Sequence, residues 1–319
     1  MKKLAFIIVV ALMSAPALRA DVNFEFQYLD VGTGFDDPVD GPARRIALDQ
    51  AADQFATAFA AYDAEIVIEV VGSSPDGSLS SATASLVGTA TSAGFGTHEV
   101  VLNKVLSNGE TDLNDEAVDG TLAINFGQLW QLDPTVTPSE SQYDFQAAVY
   151  HELTHLMGFG SGIFTRGGLF AGDHLGRTTG EWSKFDQFLS DAEGNALITG
   201  VTLNKPAYHS LLVGGASPDG GLFFNGSAGL IGLYTPTTFA AGSSGSHLDI
   251  DNPAYADGLM VPRVSTGPGP RQFSEIELAM LRDIGYAEID QIAAVPEASA
   301  WTMLSLACLL LTSHLRRRR

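Results

Sequence analysis

The first half of the chain contains three segments whose apolar side chains fit β-strands. Side chains alternate between apolar and polar in residues 22–29, and residues 65–71 (EIVIEVV) and 120–126 (GTLAINF) are rich in aliphatic and β-branched residues. These patterns are typical of half-buried and buried strands. The Ser-, Gly- and Thr-rich residues 72–96 predict a loop with one short edge strand.

Two longer segments repeat their apolar side chains every three or four residues. In residues 42–62 this spacing includes Leu48 and Phe55, and residues 142–157 keep it up to Gly158. It predicts two helices. A strand, a helix, further strands and a second helix, in that order, indicate an α+β lobe.

The composition changes after the second predicted helix. Nineteen of the 34 glycines lie in residues 158–245. So glycine-rich a stretch predicts a loop-dominated insertion rather than core, with one helix at 181–189 and a hairpin turn at 191–195. Beyond it, Ser274 and Glu277 stand in the positions of a capping box, which predicts a helix that ends at Gly285.

The N-terminus has the composition of a targeting segment. Residues 1–20 combine Lys2 and Lys3, an apolar run and a small-residue cleavage site. This pattern is typical of a secretory signal peptide, so the protein is expected to be exported.

The C-terminus ends in an apolar run at 298–315 and four arginines at 316–319. The run is barely long enough to span a bilayer, and the arginines favour a cytoplasmic end. With Val295-Pro296-Glu297, residues 294–319 resemble the PEP-CTERM sorting tail of Gram-negative bacteria. The resemblance implies exosortase-type sorting machinery as a partner, transient inner-membrane association, and release to the cell envelope or the outside. A plain membrane anchor is the alternative.

Charge and cysteine content exclude several classes of protein. The formal net charge of −20 argues against nucleic acid or an anionic membrane surface as the main partner. The single cysteine, Cys308, lies in the tail, which excludes an internal disulfide framework and a multi-cysteine zinc site.

The residues that carry chemistry are His151-Glu152-Leu153-Thr154-His155. On a helix, positions i and i+4 share one face, so both imidazoles can reach one metal ion. In this motif the metal is zinc, and Glu152 stands beside it as a general base rather than as a ligand.

Two histidines do not complete a catalytic zinc site, which uses three protein ligands and leaves one position open. The chain offers four candidates for the third ligand: His247, Glu181, His174 and His209. Glu181 stands at the start of a predicted helix, where a downstream glutamate completes some zinc sites. His98 precedes the motif by many residues and is interpreted as structural.

The order of motifs from residue 43 to residue 286 resembles the leishmanolysin-type metzincins. The resemblance is carried by HELTHLMGF, a long insertion, Ser246-His247-Leu248-Asp249, Gly258-Leu259-Met260, and a closing helix that ends in DIGY. It implies a zincin-like two-lobed catalytic domain, in which a twisted sheet and an active-site helix precede a loop-rich lobe. It also implies that His247 is the third zinc ligand and that Met260 forms a Met-turn beneath the metal. Ser161 stands where shorter metzincins carry the third histidine, and the cysteines of the family are missing.

The predicted organisation has five parts. These are a signal peptide (1–20), an N-terminal catalytic lobe with the zinc helix (21–158), a glycine-rich insertion (159–245), a C-terminal lobe with the third ligand and the Met-turn (246–290), and the sorting tail (294–319).

The sequence therefore predicts a secreted zinc metallopeptidase that hydrolyses protein or peptide substrates. The alternative is a non-catalytic envelope or matrix protein with a structural metal site, against which Glu152 counts because such a site needs no general base. The acidic clusters in residues 36–40, 112–116 and 249–252 would suit structural Ca²⁺ or simply a solvated loop.

Overall fold

A computed structural model describes residues 22–73, 77–88, 93–163, 180–215 and 220–294. The predicted signal peptide, the sorting tail from residue 295 onward and the candidate ligand His174 lie outside these residues. Within them the protein is a mixed α+β structure, as the sequence predicted.

The described residues contain five α-helices and thirteen strands, most of them short. The helices are α1 (Gly41–Ala56), α2 (Val100–Leu106), α3 (Phe145–Leu156), α4 (Lys205–Leu211) and α5 (Glu275–Asp283). The strands are β1 (Val22–Tyr28), β2 (Ala64–Val71), β3 (Ser80–Ala84), β4 (Gly94–Phe95), β5 (Gly120–Ile124), β6 (Trp130–Gln131), β7 (Tyr143–Asp144), β8 (Glu181–Trp182), β9 (Leu189–Ser190), β10 (Ile198–Thr199), β11 (Thr202–Leu203), β12 (Phe223–Gly226) and β13 (Gly229–Gly232).

The largest sheet has four strands in the order β1-β2-β5-β3. The first three run parallel, and β3 is antiparallel to β5 at the edge of the sheet. In β2 the side chains of Ile66, Ile68 and Val70 are fully buried because the strand is central. The predicted strands at 22–29, 65–71 and 120–126 are β1, β2 and β5, each within two residues at either end.

Helices α1 and α3 pack against each other and against this sheet. The ring of Phe55 on α1 lies 6.1 Å from that of Phe24 on β1 and 6.0 Å from that of Tyr150 on α3. The predicted helix at 42–62 ends earlier than expected, because the α-helix stops at Ala56 and a 3₁₀ turn, Thr57–Phe59, follows. This packing presents one face of α3 to β3.

The expectation that residues 158–245 stay outside the core is wrong. Phe159, Phe185 and Phe224 in this segment are fully buried and belong to the same apolar cluster as the sheet and α1. The segment also forms a three-stranded antiparallel sheet in the order β13-β12-β9. Its glycines serve the turns between these short elements, and each element buries a few large apolar side chains.

The predicted helix at 181–189 is also wrong. Residues 181 and 182 form β8, which pairs in parallel with β4, and Phe185–Phe188 form a short 3₁₀ helix. The carboxylate of Asp186 accepts the backbone N–H of Ser183 at 3.1 Å, which ties the chain into a turn and competes with a regular helix.

Two local predictions are confirmed. At the start of α5, Ser274 and Glu277 form both hydrogen bonds of the capping box. At the predicted hairpin turn, Asp191 accepts the backbone N–H of Asn195 at 2.8 Å, and Ser190 bridges to Ala196.

Helices α2 and α4 were not predicted, since seven residues are too few to show a helical repeat. Over the described part of the chain, none of the helices has the length and apolar character that crossing a bilayer requires.

Candidate metal centre

Helix α3 carries the first two histidines of the site. Asp144 caps its N-terminus by accepting the N–H of Ala147 at 3.1 Å, and the side chains from Phe145 to Thr154 are buried. His151 and His155 lie one turn apart, so their imidazoles project from the same face. The helix begins three residues later than the predicted 142, because Asp144 supplies the cap.

His247 comes from a turn-rich segment that returns to this helix. Gly158, with φ of +93°, takes the chain out of α3. Far along the chain, the carbonyl of His247 accepts the N–H of Tyr234 at 2.8 Å, and Leu248 donates its N–H to the carbonyl of Met260 at 2.8 Å. These two bonds position His247 between the segment that follows β13 and the turn at Met260.

The three imidazoles converge on one point. The Nε2 atoms of His151, His155 and His247 are each 3.1 Å from the other two. Across the described residues, this is the only group of histidine, cysteine and acidic side chains close enough to bind a metal ion. The structure therefore brings together the three histidines that the sequence proposed as ligands.

The opposite ring nitrogens are held by backbone carbonyls. Nδ1 of His151 lies 2.7 Å from the oxygen of Leu259, Nδ1 of His155 lies 2.7 Å from that of Phe159, and Nδ1 of His247 lies 3.1 Å from that of Ser243. A carbonyl oxygen only accepts hydrogen bonds, so each Nδ1 carries a proton. In a neutral ring the converging Nε2 atoms then present lone pairs.

Burial keeps the rings of His155 and His247 neutral. Burial, and to a smaller extent His151, lower the pKa of His155 to about 3. Burial, then His155 and His151, place the pKa of His247 well below its ordinary value. Three lone pairs 3.1 Å apart in a buried site repel one another unless a cation lies between them.

The geometry and donor set fit a transition metal. Three nitrogens that each lie about 2.0–2.1 Å from a tetrahedral zinc ion are about 3.3 Å apart, close to the 3.1 Å observed here. Imidazole nitrogens also suit copper, iron and nickel. The three histidines therefore lie close enough to bind one metal ion. Their geometry alone does not distinguish zinc from these other metals.

Glu152 lies next to this cluster and outside it. Its carboxylate is buried against the edge strand β3, where Oε1 accepts a hydrogen bond from Ser80 Oγ at 2.6 Å. Burial raises the pKa of Glu152, and His151 together with the hydrogen bonds from Ser80 and the backbone of Ala82 partly offsets that rise. The side chain is therefore a buried carboxylate with raised proton affinity beside the histidines.

Met260 adjoins the cluster through its backbone. The carbonyl of the preceding Leu259 holds His151, and the N–H of Met260 donates to Glu277 Oε1 at 2.6 Å. The Met260 side chain is fully buried in the core. One peptide unit thus connects the capping glutamate of α5 to a metal-binding histidine.

The other candidate ligands lie elsewhere. Glu181 is buried in β8 and paired with Gly94, and His209 lies on α4; neither belongs to the histidine cluster. His98 is buried away from the cluster, as expected for a structural residue.

Ser161 donates its hydroxyl to Asp186 at 2.6 Å instead of facing a metal. The three acidic clusters proposed for calcium form no such metal-binding group in the described residues.

Two further buried carboxyls, Glu99 and Asp186, lie close to the site and were not singled out from the sequence. Glu99 lines a cavity of about 290 Å³ that begins at His155, and Asp186 bonds to Ser161 in its wall. No motif marks either residue, since each stands among ordinary polar and aromatic neighbours in the sequence. Only their burial in the folded chain distinguishes them.

Comparison with family models, curated proteins and solved structures finds no match to this chain. The interpretation of the site therefore depends on its own geometry.

Proposed function

We propose that this protein is a zinc-dependent endopeptidase. The observation that carries the proposal is the convergence of the Nε2 atoms of three imidazoles at 3.1 Å, next to the buried carboxylate of Glu152. A purely structural metal site would need neither a general base nor an adjoining cavity, and structural zinc sites are normally closed by a fourth protein ligand. Three histidines plus an open position are typical of catalytic zinc.

His151, His155 and His247 would hold the zinc ion through their Nε2 atoms. When bound, the ion supplies Lewis-acid chemistry, which polarises a carbonyl group and lowers the pKa of water toward about 7. Glu152 takes a proton from the attacking water and later returns it to the nitrogen of the leaving amine. A carboxylate whose pKa is raised by burial suits both steps, because it holds a proton more readily than an exposed carboxylate does.

The edge strand favours a peptide as substrate. Among the described residues, strand β3 pairs with β5 on one side and with no strand on the other, and Ala82, Thr83 and Ala84 also line the cavity beside His155. An edge strand offers backbone groups with which an extended peptide can pair. The scissile bond would then lie between β3 and the histidines.

The finer architecture belongs to the same proposal. The four-stranded sheet with α1 and α3 would form the first lobe of a zincin-like domain, and the segment of His247 and Met260, with α5, the second. Met260 would take the role of a Met-turn, supported by its buried side chain and its peptide link to His151 through Leu259.

The terminal segments support a location outside the cytoplasm as part of this proposal. Residues 1–20 would direct export, and the tail at 294–319 would hold the protein transiently at the inner membrane until exosortase-type machinery releases it to the envelope or the outside.

The test replaces Glu152 in the full chain. Glu152→Gln should retain one zinc per chain by elemental analysis, yet lose at least about 100-fold of its activity on casein or gelatin. His209→Ala, which removes a histidine outside the cluster, is the matched control and should keep both zinc and activity. Unchanged proteolysis in Glu152→Gln would overturn the mechanism, and zinc binding by an inactive wild type would favour the non-catalytic alternative.

A further inference from the structure

The cavity that begins at His155 is large enough to receive one long side chain. Its volume of about 290 Å³ lies at the lower limit of the ~300–1,000 Å³ found for small-molecule pockets. Strand β3 forms one wall of the cavity, and residues 158–163, which follow α3, form another. Ser244 and Ser246 lie on the side of His247. A group bound here would lie beside His155 and so beside the three-histidine site.

Glu99 places a carboxyl group in the wall of this cavity. It stands at the start of α2, and its Oε2 accepts the backbone N–H of Lys184 at 2.6 Å. Its other oxygen borders Gly158, where an added Cβ would lie 3.4 Å from Oε1. The carboxyl of Glu99 therefore lies beside the end of α3.

Asp186 adds a second buried carboxyl to the same region. It is fully buried and accepts hydrogen bonds from Ser161 Oγ at 2.6 Å and from the N–H groups of Gly162 and Ser183 at 3.1 Å. Those three residues line the cavity. Asp186 also acts electrostatically on Glu99, so the two carboxyls reinforce one negative potential.

Little positive charge balances this pair within the described residues. The cation that acts on Glu99 there is Lys184, whose Nζ bonds to Gln187 at 2.7 Å at the exposed surface. Burial raises the pKa of Glu99 to about 8 and that of Asp186 to about 6. Both shifts express the cost of a buried negative charge, which an entering cation would offset.

We propose that this cavity receives the cationic side chain of a lysine or arginine next to the cleaved bond of the substrate, and that Glu99 selects it. The proposal rests on the endopeptidase function and specifies its substrate class. The apolar stem of lysine would lie along Ala82, Ala84 and Phe159, and the charged end would reach Glu99 among the serine hydroxyls. Glu99 is here a specificity-determining residue.

The experiment compares two otherwise identical fluorogenic peptides, one with lysine and one with the neutral isostere norleucine at each position flanking the cleaved bond. Wild-type, zinc-loaded full chain should prefer lysine at one of these positions by at least about 10-fold in kcat/KM. Glu99→Gln should reduce that preference to about one, mainly by slowing cleavage of the lysine peptide, whereas Glu99→Asp should keep part of it. Glu110→Gln, at an exposed site, is the matched control.

A second measurement needs no variant. Butylammonium should inhibit wild-type cleavage of the norleucine peptide at a lower concentration than butan-1-ol does, because only the former carries a positive charge. Equal inhibition, a norleucine preference, or a preference that Glu99→Gln leaves unchanged would overturn the assignment of Glu99. Failure of the wild type to cleave either peptide or casein would instead overturn the endopeptidase function itself.

Discussion

Helix α3 supplies two of the three histidines, whereas a turn-rich segment, residues 243–260, supplies the third. On the helix, the spacing of His151 and His155 is set by the backbone hydrogen bonds of one turn. In the second region, His247 is placed by contacts with partners from other parts of the chain, such as Tyr234.

Each region holds one ring through a nearby carbonyl, and the third ring is held by a bond between the regions. His155 donates to the carbonyl of Phe159, four residues away, and His247 donates to that of Ser243, also four residues away. His151 instead donates to Leu259, a separation of 108 residues, and that bond joins the two regions. The helix therefore sets the spacing of two ligands, and long-range contacts set the register between the regions.

The largest effect is expected when a ligand is removed from either region. His155→Ala and His247→Ala should each weaken zinc binding by at least about 1,000-fold, because each deletes one of three protein ligands. Competition with a chromogenic chelator measures this affinity. His209→Ala and Glu181→Gln should leave it unchanged, and zinc retention in His247→Ala with loss in Glu181→Gln would reverse the assignment of the third ligand.

The next effect concerns the start of the helix. Asp144 caps α3 and also pairs with Arg271 Nε at 2.9 Å, so Asp144→Ala removes a cap and leaves a partly buried guanidinium unpaired. We expect the free energy of unfolding to fall by about 3 kcal/mol, as measured by urea denaturation. Asp133→Ala, in an exposed loop, is the control. A change below about 1 kcal/mol would show that the helix region is independent of the segment around Arg271.

A smaller effect is expected at the peptide that joins the regions. Glu277 accepts the N–H of Met260 at 2.6 Å and that of Ser274 at 2.7 Å, and Gln can accept only one of them with its single oxygen. Glu277→Gln should shift the Leu259–Met260 peptide that holds His151 and weaken zinc binding by about 10- to 100-fold. The exposed neighbour Glu275→Gln should not. Equal zinc affinities of these two variants would contradict a positioning role for Glu277.

The smallest effect concerns Glu99, whose carboxyl lies beside Gly158 at the end of α3. Burial places the folded-state pKa of Glu99 at about 8, above the 4.5 of an ordinary glutamate, so the folded state holds this proton more tightly. Wild-type stability should therefore fall as pH rises from 4.5 toward about 8, and Glu99→Gln removes this loss. Between pH 6 and pH 8 the variant should gain about 2 kcal/mol relative to the wild type in urea denaturation. A difference that is independent of pH would mean that Glu99 is already ionised and paired.

Local patterns predicted the regular elements near the site. The strands β1, β2 and β5, the helix α3 with His151 and His155, and the capping box of α5 were all evident from residues close together in the sequence. Each depends on a repeat or a pair within a few positions, which the chain order itself displays. The same reasoning was wrong for residues 181–189, where the hydrogen bonds of Asp186 and the pairing of β8 with β4 override helical spacing.

The sequence by itself predicted that two histidines and a glutamate share one helix, because the apolar side chains of residues 142–157 recur at helical spacing. Only the tertiary structure decided that His247, 92 residues beyond His155, completes the cluster in preference to Glu181 or His209. It also decided that Glu99 and Asp186 are buried beside the cavity. The position of His247 and the burial of Glu99 and Asp186 depend on contacts between residues that are far apart in the sequence. Patterns of neighbouring residues do not predict such contacts.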